Sequence, residues 1–226
     1  MRLTGYDYAE PGKYFVTTCT WNRRILFGRI VDGRMILSEE GAIVDGCWKE
    51  IPVHFENCVL GAFQAMPDHL HGILEIKESP VNCPPVAAPS SNPVVARYIV
   101  PQRRLSLVPQ PGPLRIFGRS EPGTLSTIIG NFKAAASREI RRKRAHHRAG
   151  PIWQRNFHDH IIRGDREHFL IERYIQVNPL FWEIERNARE ILRMDEEGMR
   201  ITLRDRYGLA GDTLNYVLRR CLDQGS

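Results

Sequence analysis

The stretch Met66-Pro67-Asp68-His69-Leu70-His71-Gly72-Ile73-Leu74-Glu75-Ile76 constrains this chain more than any other. Pro67-Asp68 makes a tight turn, and the residues after it read as a β-strand. Side chains alternate faces along a strand, so His69 and His71 project from the same side, one above the other. Two imidazoles so placed can hold one metal ion or brace one phosphate. Whatever completes such a site must come from elsewhere, and the fold has to bring it there. Tyr174 and Asn178 are the best candidates, since they stand i, i+4 on a helical stretch and share one helix face.

The elements around this stretch follow from pattern. Residues 13–20 are rich in aromatic and β-branched side chains and predict a first strand. Residues 29–36 set Asp32-Gly33 between two short apolar runs, a small hairpin. Ser38 is placed to cap a helix, with Glu39 and Glu40 at its positive end. Ile43, Val44, Cys47, Trp48 and Ile51 then recur at helical spacing until Pro52 stops the helix. Residues 57–66 and 69–77 form the second and third strands, antiparallel to each other. Gly61 and Gly72 leave the sheet surface open, as happens where another backbone or a ligand comes close.

Thr124 caps a helix running to about residue 145, with Leu125, Ile128, Ile129, Phe132, Ala136 and Ile140 as its apolar stripe. Residues 151–163 read as a loop entering a fourth strand. Asp165 caps the next helix, which carries Tyr174 and is expected to end near Asn178, because Pro179 disfavours helical geometry in the residue before it. Two or three amphipathic helices follow, around residues 183–194 and 213–222. Apart from the hairpin, the first six elements spell β-α-β-β-α-β. The expected class is α+β, a ferredoxin-like antiparallel sheet with helices on one face and the tyrosine on a following helix.

Nine of the fifteen prolines fall between Pro80 and Pro113 in a stretch without acids, so residues 79–120 read as a flexible insertion. The main domain is then residues 1–78 with 121–180, and residues 181–226 form a helical extension. Five scattered cysteines without a C-x-x-C pair exclude a disulfide framework and a thiolate zinc site. No apolar run is long enough to span a bilayer, and the N-terminus lacks a signal-peptide core, so a cytoplasmic protein with no membrane partner is expected. The net charge of +6 is concentrated: between Lys133 and Arg148 seven Lys/Arg face the single acid Glu139. Lys133, Arg138, Arg141, Arg142 and Arg144 are therefore candidates for an anionic partner, nucleic acid first.

Two histidines and an asparagine are neutral ligands, leaving a divalent ion its full charge and open positions for phosphate oxygens. A free tyrosine has a pKa of about 10 and needs such help to attack a phosphodiester. His158 and His160 repeat the i, i+2 spacing, so a zinc hydrolase built on His69, His71 and one of these two is a competing arrangement.

Five blocks occur in order: Tyr14-Phe15-Val16-Thr17, Met66-Pro67-Asp68-His69-Leu70-His71, Ile152-Trp153-Gln154-Arg155, His160-Ile161-Ile162-Arg163 and Tyr174-Ile175-Gln176-Val177-Asn178-Pro179. Through these the chain resembles the HUH-superfamily transposases with a single catalytic tyrosine, specifically the REP-associated type, over roughly residues 10–78 and 121–180. The resemblance implies His69, His71 and Asn178 as metal ligands, magnesium or manganese as the ion, and Tyr174 as the nucleophile. It implies cleavage of single-stranded, hairpin-containing DNA, release of a 3′-OH, and a 5′-phosphotyrosyl link that allows rejoining without a nucleotide cofactor. His160 falls on the family's fourth strand, as a residue that supports the ligands or contacts DNA rather than a ligand itself. Arg155 is a further candidate DNA contact, and both monomers and homodimers occur in such proteins. The alternative is a domesticated relative that binds hairpin DNA or RNA with little turnover.

Overall fold

The computed structural model describes residues 10–78, 123–144 and 150–225. The Pro-rich insertion, with its arginines, and the end of the basic run at His146, His147 and Arg148 lie outside the described residues. In chain order the elements are β1 (Gly12–Cys19), a hairpin of β2 (Gly28–Val31) and β3 (Arg34–Leu37), α1 (Glu39–Lys49), the single turn α2 (Ile51–His54), β4 (Cys58–Ala65), β5 (His69–Ile76), α3 (Leu125–Lys143), β6 (His158–Ile162), α4 (Asp165–Asn187), α5 (Glu196–Tyr207) and α6 (Gly211–Gly225). β4, β5, β1 and β6 form one sheet in that order, every neighbour antiparallel. With α1 and α3 as the crossovers, this is the ferredoxin-like arrangement of an α+β domain.

Strand alternation sorts the sheet into two unlike faces. Tyr14 and Val16 of β1 and Leu70, Leu74 and Ile76 of β5 join Trp48 of α1 and Ile128, Phe132 and Ile140 of α3 in one buried cluster. On the opposite face Phe15, Ile73 and Ile162 pack against Ile171, Tyr174 and Ile175 of α4. The two crossover helices therefore lie on one face, and the tyrosine helix covers the other.

The gaps expected at Gly61 and Gly72 are filled by protein. A Cβ on Gly72 would lie 2.2 Å from the Trp48 indole, so the missing side chain lets that ring lie directly on β5. At Gly61 the sheet bulges: Leu60 pairs with Leu74 and Phe63 with Gly72, leaving Gly61 and Ala62 opposite Ile73. A Cβ on Gly61 would sit 2.9 Å from the Ile73 Cβ.

Helix α4 does not stop at Asn178. It runs through Pro179 to Asn187, with Gly164 rather than Asp165 at its cap position. The missing proline N–H leaves the Ile175 carbonyl without its usual helical donor, a cost of about 3 kcal/mol or more. Beyond the proline, Leu180, Phe181 and Ile184 are buried against Met199 and Leu203 of α5 and Val217 and Leu218 of α6. Three such side chains contribute about 1.5–3 kcal/mol each, enough to carry the helix past the break.

The expected helix at 183–194 is thus the end of α4 plus a 3-10 turn at Ile191–Arg193. Helix α5 is the third of the two or three helices expected here, at a position the pattern does not single out, although its signals are in the chain. The Asp195 carboxylate accepts from Gly198 N at 2.9 Å, and Gly208 ends the helix at φ 66°.

A buried carboxylate ties this C-terminal part to the hairpin. Asp32 (φ 50°) and Gly33 (φ 69°) make the turn expected between β2 and β3. The Gly33 N–H donates to Glu183 Oε2 at 2.5 Å, and the Tyr207 hydroxyl donates to Glu183 Oε1 at 3.4 Å. Burial and the Glu183 carboxylate push the Tyr207 phenol up to about 12. No described helix is long and apolar enough to cross a membrane.

Candidate active site

The turn that aims β5 is fixed from three sides. Met66 N donates to the His69 carbonyl at 2.8 Å, closing the turn. The Pro67 carbonyl accepts from Leu26 N and Phe27 N at 2.8 and 3.0 Å. The Asp68 carbonyl accepts from both Thr20 N and Thr20 Oγ1 at 2.9 Å. His69 and His71 then leave β5 on the α4 face, 7% and 5% exposed.

Their ring nitrogens are sorted by their partners. His69 Nδ1 lies 2.5 Å from Asp68 Oδ1, and a carboxylate only accepts, so the proton sits on Nδ1 and the Nε2 lone pair is open. His71 Nδ1 is 2.8 Å from Thr17 Oγ1, and in the tautomer in which that hydroxyl accepts, the second Nε2 is open as well. Burial first, then the His69 imidazole and Arg23, pushes His71 down to about 3, so it is a neutral base at ordinary pH. The two Nε2 atoms are 3.1 Å apart. Two lone pairs at that distance repel unless a cation lies between them. Two adjacent ligands of one ion, with bonds of about 2.1 Å, have nearly this separation.

Helix α4 brings the other half. The Tyr174 hydroxyl is 3.4 Å from His71 Nε2 across 103 positions of chain. Phe15 stacks on His71 at 5.4 Å between centroids and meets the Tyr174 ring edge-on at 6.0 Å. Two turns along the same stripe, Trp182 lies 5.7 Å from His69 between ring centroids. Asn178 stands midway between Tyr174 and Trp182, hence on the face that meets both histidines. It is 8% exposed, and its side-chain amide has no hydrogen-bond partner among the described residues. From α6, the Arg220 guanidinium lies 4.9 Å from the Tyr174 ring and 4.2 Å from the Phe181 ring.

The remaining expected residues are placed elsewhere. His158 is opposite Thr17 on the edge strand β6, with β1 between it and His71. His160 Nε2 is held by Glu167 at 2.6 Å. Among the described residues no three or more His, Cys, Asp or Glu side chains form a metal cluster. Lys133 is turned inward: its amine donates to the carbonyls of Gln154 and Asn156 at 2.5 and 3.3 Å, and burial pushes it down to about 8. With Arg155 and Thr17 it borders a cleft of about 990 Å³ beside β1. Arg142 pairs with Glu139 at 2.8 Å and Arg144 with Glu40 at 2.5 Å, while Arg138 and Arg141 border a shallow cleft on α3. All the α3 residues belong to the helix on the sheet face away from Tyr174.

Three supporting residues were not anticipated: Thr17, Asp68 and Trp182. Asp68 had a local signal, a carboxylate directly before the first histidine. Thr17 and Trp182 depend on strand register and on the helix continuing past Pro179.

Across 184 residues the chain is 34% identical to an uncharacterized protein of Haemophilus influenzae, covering 81% of this chain and 88% of that one. The chain belongs to that protein's family. No family model matches it. Among solved structures, a REP-associated tyrosine transposase bound to a REP hairpin aligns over 80% of this chain and 74% of its own, at 15% identity and a TM-score of 0.48. A transposase-like protein of Deinococcus radiodurans R1 aligns over 78% and 95%, at 13% identity and a TM-score of 0.39.

Proposed function

We propose that this protein is a tyrosine transposase that cleaves and rejoins single-stranded, hairpin-containing DNA. The observation that carries the reading is the convergence of the Tyr174 hydroxyl and the two open imidazole nitrogens on one point, 3.4 and 3.1 Å about His71 Nε2. A half-buried phenol hydroxyl set against two buried imidazoles has no evident packing purpose, whereas a nucleophile needs both a fixed position and a nearby positive charge.

His69, His71 and Asn178 would hold the metal. Two imidazoles with a single amide oxygen suit manganese better than magnesium, which favours oxygen ligands. When bound, the ion would polarise the phosphodiester and stabilise the charge that develops on it. The chain's own residues do the rest. Asp68 and Thr17 keep the imidazoles in the tautomer whose lone pairs face the site. Phe15 and Arg220 hold the phenol ring from its edge and its face. The Tyr174 oxygen attacks phosphorus while the bond from phosphorus to the 3′ oxygen breaks. The phenol proton leaves to solvent, and the departing oxygen takes one up as the 3′-OH. The 5′-phosphotyrosyl link keeps the bond energy for rejoining to a second 3′-OH.

The test is single-stranded DNA from the flanks of the native gene, folded into its hairpins, with manganese. A protein–DNA adduct that survives denaturation is expected, abolished by Tyr174→Phe and reduced more than about 100-fold by His71→Ala. Hairpin binding with no adduct would instead favour the binding-only alternative. Loss with His160→Ala but not with His71→Ala would move the metal site.

A further inference from the structure

On the His69 side of the site lies an open groove of about 740 Å³ between the start of the β2–β3 hairpin and the end of α4. Its walls include Ile25, Arg29, Trp182, Glu185, Arg186 and Arg189. We propose that this groove, rather than the basic face of α3, takes the phosphate backbone of the single DNA strand next to the bond that is cut. The proposal rests on the reading of Tyr174 as the residue that strand must reach.

Four observations support it. Arg29, Arg186 and Arg189 have no carboxylate partner among the described residues, and Arg189 Nε donates only to the Glu185 carbonyl, at 2.6 Å. Against one glutamate the groove therefore keeps an excess of two positive charges. On α3, Arg142, Lys143 and Arg144 each face an acid, at 2.8, 3.8 and 2.5 Å. That leaves Arg138 and Arg141 without a carboxylate partner among the described residues, so charge alone does not separate the two faces and the remaining three observations decide.

Second, the Arg186 guanidinium stacks 3.8 Å from the Trp182 ring, and Ile25 beside it is 69% exposed. Aromatic and apolar surface interleaved with arginine suits splayed bases as well as phosphates, the combination used by single-strand binders. Third, the groove joins the site directly, because Trp182 also faces His69. Fourth, α3 packs on the other face of the sheet, so a strand lying on it would have to turn around a sheet edge to reach Tyr174.

The test uses the wild-type 226-residue chain in EDTA, which withholds the ion the proposed cleavage needs, and a fluorescein-labelled oligothymidylate of about 15 nucleotides. Fluorescence anisotropy across a salt series gives affinity and its salt slope. Arg29→Gln, Arg186→Gln and Arg189→Gln together should weaken binding by more than about tenfold and lower the log–log salt slope by about 2. Arg141→Gln with Arg142→Gln should change affinity less than about twofold, and a duplex of equal length should compete poorly. These are exposed positions, and circular dichroism checks that each variant is folded.

The proposal is overturned if the triple variant binds like the wild type, if the α3 variant loses more, if the duplex competes equally, or if the wild type does not bind the oligonucleotide at low salt. Failure of the Tyr174 adduct with intact, groove-dependent binding would remove the catalytic reading alone. Adduct formation with a neutral triple variant would remove the groove alone.

Discussion

Alternate residues of β5 face two different environments. Leu70 and Leu74 point into hydrocarbon, and at Gly72 the Trp48 indole lies on the backbone itself. His69 and His71, one step away, are buried just as deeply but against Thr17, Asp68, Tyr174 and Trp182. Depth is the same and chemistry is opposite. The dry face gains free energy from the apolar atoms it hides, against the cost of one buried N–H, Trp48 Nε1, that has no hydrogen-bond partner among the described residues. The face under α4 hides polar nitrogens, which is tolerable only because each found a partner or points where a cation would sit. The lesson is a division of labour: one side holds the sheet in place so that the other can keep two lone pairs aimed together.

That division can be broken by variants of graded effect. Trp48 is 1% exposed, stacked on Phe63 at 4.9 Å and edge-on to Phe132 at 5.3 Å. Trp48→Ala should cost about 3–5 kcal/mol in urea unfolding. The folded fraction should bind manganese like the wild type. A matching loss of metal affinity would mean the two faces are not separable.

Gly72→Ala comes next. Its Cβ would enter the indole at 2.2 Å, and an overpacked core of this kind costs about 3 kcal/mol. Combining it with Trp48→Phe frees space, so the double variant should be less destabilised than the sum of the two. Simple additivity would place the strain elsewhere than under that ring.

The sequence makes the dry face more legible than the wet one, for a physical reason. Periodicity reports where apolar atoms go, and the stripes on α1 and α3, the Ser38 and Thr124 caps and the Asp32-Gly33 turn all follow from local rules. The histidine pair is equally local, since alternation alone sets its side. Tyr174 could be nominated but not placed, because the contact at 3.4 Å spans 103 positions and depends on which sheet face α4 chooses. Gly72 misled because a missing side chain does not say what fills the space. Pro179 misleads because the local backbone rule takes no account of the buried Leu180, Phe181 and Ile184 beyond it. Trp182 sits on that same helix end, so its place beside His69, and the groove it lines, depend on the helix crossing Pro179.

The smallest expected effect on folding is the most informative about function. Thr17→Val keeps the shape of a half-buried side chain and deletes the oxygen 2.8 Å from His71 Nδ1. Stability should fall by only about 1 kcal/mol, the worth of an ordinary hydrogen bond. Metal affinity should fall about 10–100-fold, because the imidazole loses the partner that fixes its tautomer and its aim. Thr17→Ser, which restores the hydroxyl, should recover most of both. Calorimetric titration with manganese beside urea unfolding separates the outcomes. If Thr17→Val costs as much stability as Gly72→Ala and leaves manganese binding untouched, the α4 face is a second core, and the histidines are packing residues with unusual side chains.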